Sequence, residues 1–448
     1  MLNGYPILFS DTGGLLAMGI IPDMGWDKPW VYGPLLAAFH WRTTLWLPLA
    51  AQVLLVSYVL WLVQSVFAPA RGGAHLALCA VLAAGSTAPW VASTLMPDLF
   101  TPVTILGIFV LRFGRGRHLL AAGMITAVAI AAHLSNLVVA AACIAATLAL
   151  SPSSRRAWRP ALCLLAALGF LFASNWIGRG KPGISPYGSV FALARLVADG
   201  PARAYLGRVC PQAGYGLCAW TGRLTDDSDQ FLWDPQGPVW ADDRPIGEFT
   251  AEASQIVAGT IRTETLGVAT HAARNTARQL GRFRLGDTLG ADYLDVAVRP
   301  RLLDWFPPAE TRRFDASLQA RGLLRQAAAP FDVTQVVLVG IAAAACATIL
   351  LRGLLFVVTP GLDPGVQATE GRAWQLLDPR VKPGGDDMGQ RVLPSLTALI
   401  LIGLLANAFA TGALSTVHDR YQSRAIWLLL VPPLIALQNP SRITSRAK

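Results

Sequence analysis

Five acids and a late pair of arginines are the residues whose types and spacing suit chemistry. Of the chain's 27 Asp and Glu residues, 17 fall within 178–332 and five within 359–391, leaving Asp11, Asp23, Asp27, Asp98 and Asp419. Asp11 sits in Ser10-Asp11-Thr12-Gly13-Gly14 and Asp98 ends Thr94-Leu95-Met96-Pro97-Asp98. Asp419 opens Asp419-Arg420-Tyr421-Gln422-Ser423-Arg424. A carboxylate in reach of a hydroxyl serves as a general base. Two carboxylates also suit a hard divalent cation, and guanidinium forks match phosphate oxygens. Each residue also has a plain structural role open to it. Asp11 fits as the cap of a helix starting near Leu15, and Asp98 as a complement to a helix dipole after Pro97. Arg420, Tyr421 and Arg424 fit as interfacial anchors, Lys28 with Asp23 and Asp27 as a solvated group, and His133 as a turn residue.

Composition sets the elements that must position these groups. The 448 residues are 53% hydrophobic and only 14% charged, too apolar for an ordinary soluble chain of this size. An all-α polytopic membrane protein is expected. Apolar runs lie at 44–67, 74–95, 99–113, 118–150, 159–177, 333–357, 392–412 and 424–438, against the roughly 20 residues that a spanning helix needs. His133-Leu134-Ser135-Asn136 divides the 118–150 run into a hairpin, giving nine segments.

Lys and Arg then orient them. Arg71, the Arg112/Arg115/Arg117 and Arg155/Arg156/Arg159 clusters, the basic residues from Arg352 to Arg391 and the tail Arg442/Arg446/Lys448 fall on one side of alternating segments. That side is expected to be cytoplasmic. The opposite, periplasmic side of a bacterial inner membrane would hold residues 1–43, the turns at Asp98 and His133, the 178–332 loop and residues 413–423. The formal net charge of +10 is thereby mainly topology, and no nucleic-acid partner is needed to account for it. The domain plan is a first outer loop (1–43), membrane helices (44–177), a loop domain (178–332), further membrane helices (333–438) and a basic tail (439–448). No apolar helix precedes residue 44 to carry 1–43 across, so a first helix is expected to be missing, with a translocated N-terminal tail as the alternative.

The 178–332 loop carries 18 basic and 17 acidic residues, so it is no electrostatic tether. Within it, residues 271–284 have the pattern of an amphipathic helix, Ala and Leu on one side and Arg274, Arg278 and Arg282 on the other, lying on a membrane surface. Cys210 and Cys218 are expected to pair in an oxidising compartment, with two unrelated thiols as the alternative. Residues 358–390, rich in Pro and Gly, resemble a translated palindromic repeat and are expected to carry no chemistry. The Asp419-Arg420-Tyr421 triplet does not indicate a seven-helix receptor, because both its side and the segment count differ.

Several short motifs together resemble the integral-membrane C-type glycosyltransferases, which include the protein O-mannosyltransferases and the lipid A aminoarabinose transferases. They are Asn3-Gly4-Tyr5-Pro6 with the Asp11 turn, Met96-Pro97-Asp98, His133-Leu134-Ser135 and the Asp419–Arg424 stretch. The resemblance spans the membrane portion. It implies inverting transfer of a sugar from a polyprenyl-phosphate donor to a lipid, glycan or protein acceptor at the outer membrane face. It further implies Asp11 as general base and Asp98 as a second catalytic acid that positions the acceptor or shares a divalent cation (Mg, Mn or Ca). Arg420, Arg424 and Lys28 would hold the donor phosphate, with His133, Asn136, His418, Asp419 and Tyr421 in support. The absent first helix would remove a wall of the family's lipid groove, so an inactive truncated copy is a second form of this reading. A transporter or flippase, or a cell-envelope assembly protein, is the alternative function.

Overall fold

The computed structural model describes residues 2–21, 24–69, 71–150, 156–241, 244–358 and 385–439. Asp23, Arg155, residues 359–384 of the expected insertion and the basic tail from 440 onward lie outside the described residues. The described chain is helical. Its one extended pairing among those residues is an isolated parallel bridge between Ile7 and Thr94.

Among the described residues, four helices are long and apolar enough to cross a membrane: Trp46–Phe67, Trp158–Arg179, Leu324–Leu354 and Val392–Gly412. Gly72–Gly85, Leu119–Ala132 and Ser135–Ala149 are apolar but shorter. Four of the nine expected segments are thus long helices, and the others are shorter or broken, for local reasons. The 74–95 run breaks at Ser86-Thr87, where Ser86 Oγ bonds back to the Leu82 carbonyl (2.6 Å) and Thr87 Oγ1 donates to the Ser423 carbonyl (2.7 Å). Hydroxyls that bond the backbone compete with the helix ladder. The 424–438 run divides into Asp419–Ile426, the 3₁₀ turn Trp427–Leu430 and Val431–Gln438. Pro432 and Pro433 lie in the first turn of the last of these, a place that tolerates proline. The 118–150 run does split at His133 into two helices.

The Phe100–Phe113 helix runs through the centre, buried on all sides from Phe100 to Arg112. An all-round apolar sequence is what such a position demands. Small residues let its neighbours approach: a Cβ on Gly107 would stand 2.2 Å from Thr126 Oγ1, and one on Gly403 would stand 2.5 Å from Ile105 Cδ1. Asn136 fixes the hairpin to this helix by accepting from Thr101 Oγ1 (2.7 Å) while donating to the Ala129 carbonyl (2.8 Å).

The 178–332 segment does not share a single core. Val190, Leu193, Val197, Trp220, Phe249 and Ile256 build one of their own. Leu294, Val298, Leu302, Phe306 and Phe314 instead join the main core, beside Tyr5 and Leu15. Cys210 and Cys218 form a disulfide with their Cα atoms 5.5 Å apart. The expected amphipathic helix runs from Thr265 to Leu280, and it buries Asn275 and Gln279 while Leu266 and Leu280 are exposed. Polar side chains turn inward because each finds partners: Asn275 donates to Asp199 (2.9 Å), and Gln279 exchanges two hydrogen bonds with the His418 backbone (2.7 and 3.0 Å).

Candidate active site

The residues before Asp11 are threaded between two walls. On one side Ile7 donates to the Ser93 carbonyl and accepts from the Leu95 N–H, both at 2.9 Å. On the other, Gln319 accepts from the Leu8 N–H (3.0 Å) and donates to the Leu8 carbonyl (2.7 Å). Tyr5 donates to Glu310 Oε1 (2.8 Å), which also accepts from the Leu45 N–H (2.8 Å) and Thr44 Oγ1 (3.0 Å). These contacts fix the start of the Ser10–Ile20 helix alongside the Pro97–Leu99 turn. Thr12 completes the join by donating to the Leu95 carbonyl (3.2 Å). Asp11 lies in the first turn of its helix, which begins five residues ahead of the expected start at Leu15. Gly13 is required behind it, since a Cβ there would lie 1.8 Å from the Ala297 carbonyl oxygen.

The Asp419–Ile426 helix brings in the cations. Arg420 and Arg424 are four residues apart and so share a face. Arg424 Nη1 is 3.1 Å from Asp98 Oδ1, and its remaining donors reach Ser135 Oγ (2.8 Å) and Asn407 Oδ1 (2.7 and 3.2 Å). Arg420 stands between the acids: Nη1 is 3.6 Å from Asp11 Oδ2 and Nε is 3.8 Å from Asp98 Oδ1. Its guanidinium lies 4.3 Å from the centre of the Phe9 ring and 4.9 Å from that of Tyr421. Lys28 Nζ pairs with Asp11 Oδ1 at 3.2 Å and also with Asp27. Access rises outward through this chain, from 1% for the Arg424 side chain and 7% for Asp98 to 31% for Asp11.

Electrostatics follow from this packing. Burial alone would raise the Asp98 carboxyl, but the guanidinium groups of Arg420 and Arg424 outweigh it and hold the group below the usual carboxylate range. Burial would lower Arg420, and Asp98, Tyr421 and Asp11 reverse that. Burial likewise works against the Lys28 charge, and Asp11 and Asp27 overcome it, leaving the amine above its ordinary value. His133 is pushed down to about 3 by burial and by the nearby Arg424 charge. Its Nδ1 accepts from the Ser135 N–H (3.2 Å) and lies 2.8 Å from Ser135 Oγ, the same hydroxyl that Arg424 contacts. A buried set of charges usually satisfies every polar atom. Here Asp98 Oδ2 and Arg420 Nε and Nη1 are buried with no hydrogen-bond partner among the described residues.

Asp11, Asp98, Arg420, Arg424, Lys28 and Tyr421 thus meet in one network, with His133 joined through Ser135. Three expected supporting residues make their polar contacts elsewhere, although the His418 ring meets that of Tyr421 edge-on at 5.7 Å. Asn136 holds the hairpin, His418 faces Asp229 (3.2 Å) and Asp287 (3.7 Å), and Asp419 pairs with Arg282 (3.1 Å). Ser135 enters the network from a motif in which only His133 is expected to act, and Asn407 and Phe9 are not among the expected site residues. Asn407 has a legible signal, a lone amide in an apolar helix; Phe9 has none, because its role depends on how Arg420 arrives. No group of three or more His, Cys, Asp or Glu able to hold a metal occurs among the described residues. The Arg420 guanidinium comes within 3.6 Å of Asp11 and 3.8 Å of Asp98, so both carboxylates that a shared cation would use already face a positive charge.

Comparison with protein-family models, curated proteins and solved structures finds no match for this chain.

Proposed function

We propose that the chain is a membrane glycosyltransferase that moves a sugar from a polyprenyl-phosphate donor to an acceptor hydroxyl. The observation that carries this reading is the Asp11–Arg420–Asp98 arrangement, in which an accessible carboxylate adjoins buried guanidinium nitrogens that lack hydrogen-bond partners among the described residues. In the reaction the acceptor oxygen attacks the anomeric carbon and its proton passes to Asp11. The bond from that carbon to the phosphate oxygen breaks, inverting the centre, and polyprenyl phosphate departs. Arg420 takes the phosphate charge through Nε and Nη1, since charge-assisted donors aimed at a leaving anion lower the barrier. Lys28 steadies Asp11 and adds positive charge at the entrance. Arg424 is a positioning residue in this scheme, because its donors are committed to Asp98, Ser135 and Asn407.

The same reading places the protein in a bacterial inner membrane with 178–332 periplasmic and the C-terminus cytoplasmic. Four apolar helices and the one-sided basic clusters support that placement. The test is release of free polyprenyl phosphate from labelled polyprenyl-phosphate sugars by the purified chain, compared with Asp11→Asn. Asp11-dependent release supports the proposal. Folded wild-type protein that releases nothing would favour transport or envelope assembly.

A further inference from the structure

Apart from the Asp11–Asp98 network, a cleft of about 750 Å³ opens between the Gly188–Asp199 helix, the Thr265–Leu280 helix and residues 416–417. Its floor is a closed polar cluster. Arg195 Nη2 donates to Asp199 Oδ1 (2.6 Å) and Nη1 to the Ser415 carbonyl (3.3 Å), while Asn275 Nδ2 reaches both Asp199 oxygens (2.9 and 3.0 Å). His271 Nδ1 adds a contact to Asp199 at 3.8 Å. The Asp199 carboxylate is thereby fully engaged and its charge offset by Arg195. Arg195 Nε is left buried without a hydrogen-bond partner among the described residues.

The wall is basic. Arg274 and Arg278 lie four residues apart on one face of the Thr265–Leu280 helix, a rise of about 6 Å, and Arg282 follows just past its end. Arg282 pairs with Asp419 at 3.1 Å. The side chains of Arg274 and Arg278 are exposed and make no ion pair or hydrogen bond among the described residues, although both line the cleft. Four arginines face two aspartates, Asp199 and Asp226. Guanidinium forks of this kind match phosphate oxygens, and the volume lies within the roughly 300–1,000 Å³ of small-molecule sites.

We infer that this cleft is an anion site for a phosphate-bearing ligand, held by Arg274 and Arg278 at the wall and met by Arg195 Nε at the floor. The inference does not rest on the transferase reading, since it concerns a cleft that shares no member with the Asp11–Asp98 network. The ligand is either a free phosphorylated molecule or the headgroup of an anionic lipid.

The experiment uses the full chain with two probes. Inorganic pyrophosphate is titrated by calorimetry into protein in zwitterionic detergent, and phosphatidylglycerol retained from mixed phosphatidylcholine nanodiscs is counted by native mass spectrometry. Binding of pyrophosphate identifies the free source; retention of phosphatidylglycerol alone identifies the lipid source. In either case R274Q/R278Q should weaken binding by about tenfold or more, as loss of two charge-assisted donors does. Ala277→Glu, which adds a carboxylate on the exposed rim and removes no contact, should weaken it in the same direction. Absence of wild-type binding to both probes, or binding that neither variant changes, overturns the inference.

Discussion

Arg420 lies between Asp11 and Asp98, 3.6 Å from the first carboxylate and 3.8 Å from the second, although the two acids are 87 residues apart and the arginine comes 322 residues after the nearer one. Arg424 binds the same Asp98 oxygen at 3.1 Å but is spent on structural partners. The two arginines of one helical turn therefore differ: Arg424 is committed to Asp98, Ser135 and Asn407, whereas Arg420 keeps Nε and Nη1 without a hydrogen-bond partner among the described residues.

That division predicts different consequences for the two. Arg420→Gln removes the donors proposed to receive the phosphate while leaving Asp98 paired with Arg424. Polyprenyl phosphate release should fall by about 10²–10³-fold, the range for loss of one charge-stabilising donor. Thermal unfolding should shift far less than it does for Arg424→Gln. Equal activity in Arg420→Gln and wild type would refute the assignment.

Asp98 and Asp11 should separate in the same way by stability. Asp98→Ala leaves the Arg424 charge buried without its carboxylate, a defect of about 3–5 kcal/mol. Asp11→Ala breaks partly exposed ion pairs, worth about 1 kcal/mol or less. Urea unfolding in detergent measures both, and a larger loss for Asp11→Ala would contradict the buried network.

Much of this arrangement was legible in the sequence because acid sparsity survives folding. An apolar chain with few acids outside its polar loop makes Asp11 and Asp98 conspicuous, and the His133 hairpin follows from polar residues interrupting an overlong run. Helix number was less legible, since summed hydropathy passes over short breaks such as Ser86-Thr87, whose hydroxyls find backbone acceptors. The inward face of Thr265–Leu280 was misjudged for a related reason: Asn275 and Gln279 are polar in isolation, but partners 76 and 139 residues away satisfy them. The segment that leads into Asp11 is gripped by Gln319 and Glu310, residues 305 and more positions away whose hold on Tyr5 and Leu8 no local pattern announces.

The proton balance of His133 gives a pH signature. Its folded value of about 3 lies below the ordinary value of 6.5, so between these the unfolded chain binds a proton that the folded chain does not. Stability contributed by neutral His133 is present above pH 6.5 and is lost as pH falls toward 3. The depressed Asp98 carboxyl acts lower, its contribution being present above the unfolded value of about 3.9 and lost beneath it. The melting temperature of His133→Asn should therefore depend less on pH between 4 and 6.5 than that of the wild type. Parallel curves in that window would show that His133 is protonated in the fold.

Gln319 tests whether the position of Asp11 depends on the clasp around the N-terminal segment. Its amide makes both hydrogen bonds to the Leu8 backbone, three residues ahead of Asp11. Gln319→Ala would leave a buried N–H and carbonyl without these partners, costing about 1–3 kcal/mol. It would also release the chain that aligns Asp11 with Asp98, so polyprenyl phosphate release should fall even where the protein is fully folded. Gln319→Glu keeps the acceptor for the Leu8 N–H but loses the donor to the Leu8 carbonyl, and should retain intermediate activity. Assays below each variant's own unfolding onset separate the two effects. If folded Gln319→Ala releases polyprenyl phosphate at the wild-type rate, Asp11 is held by its own helix and the clasp serves stability alone.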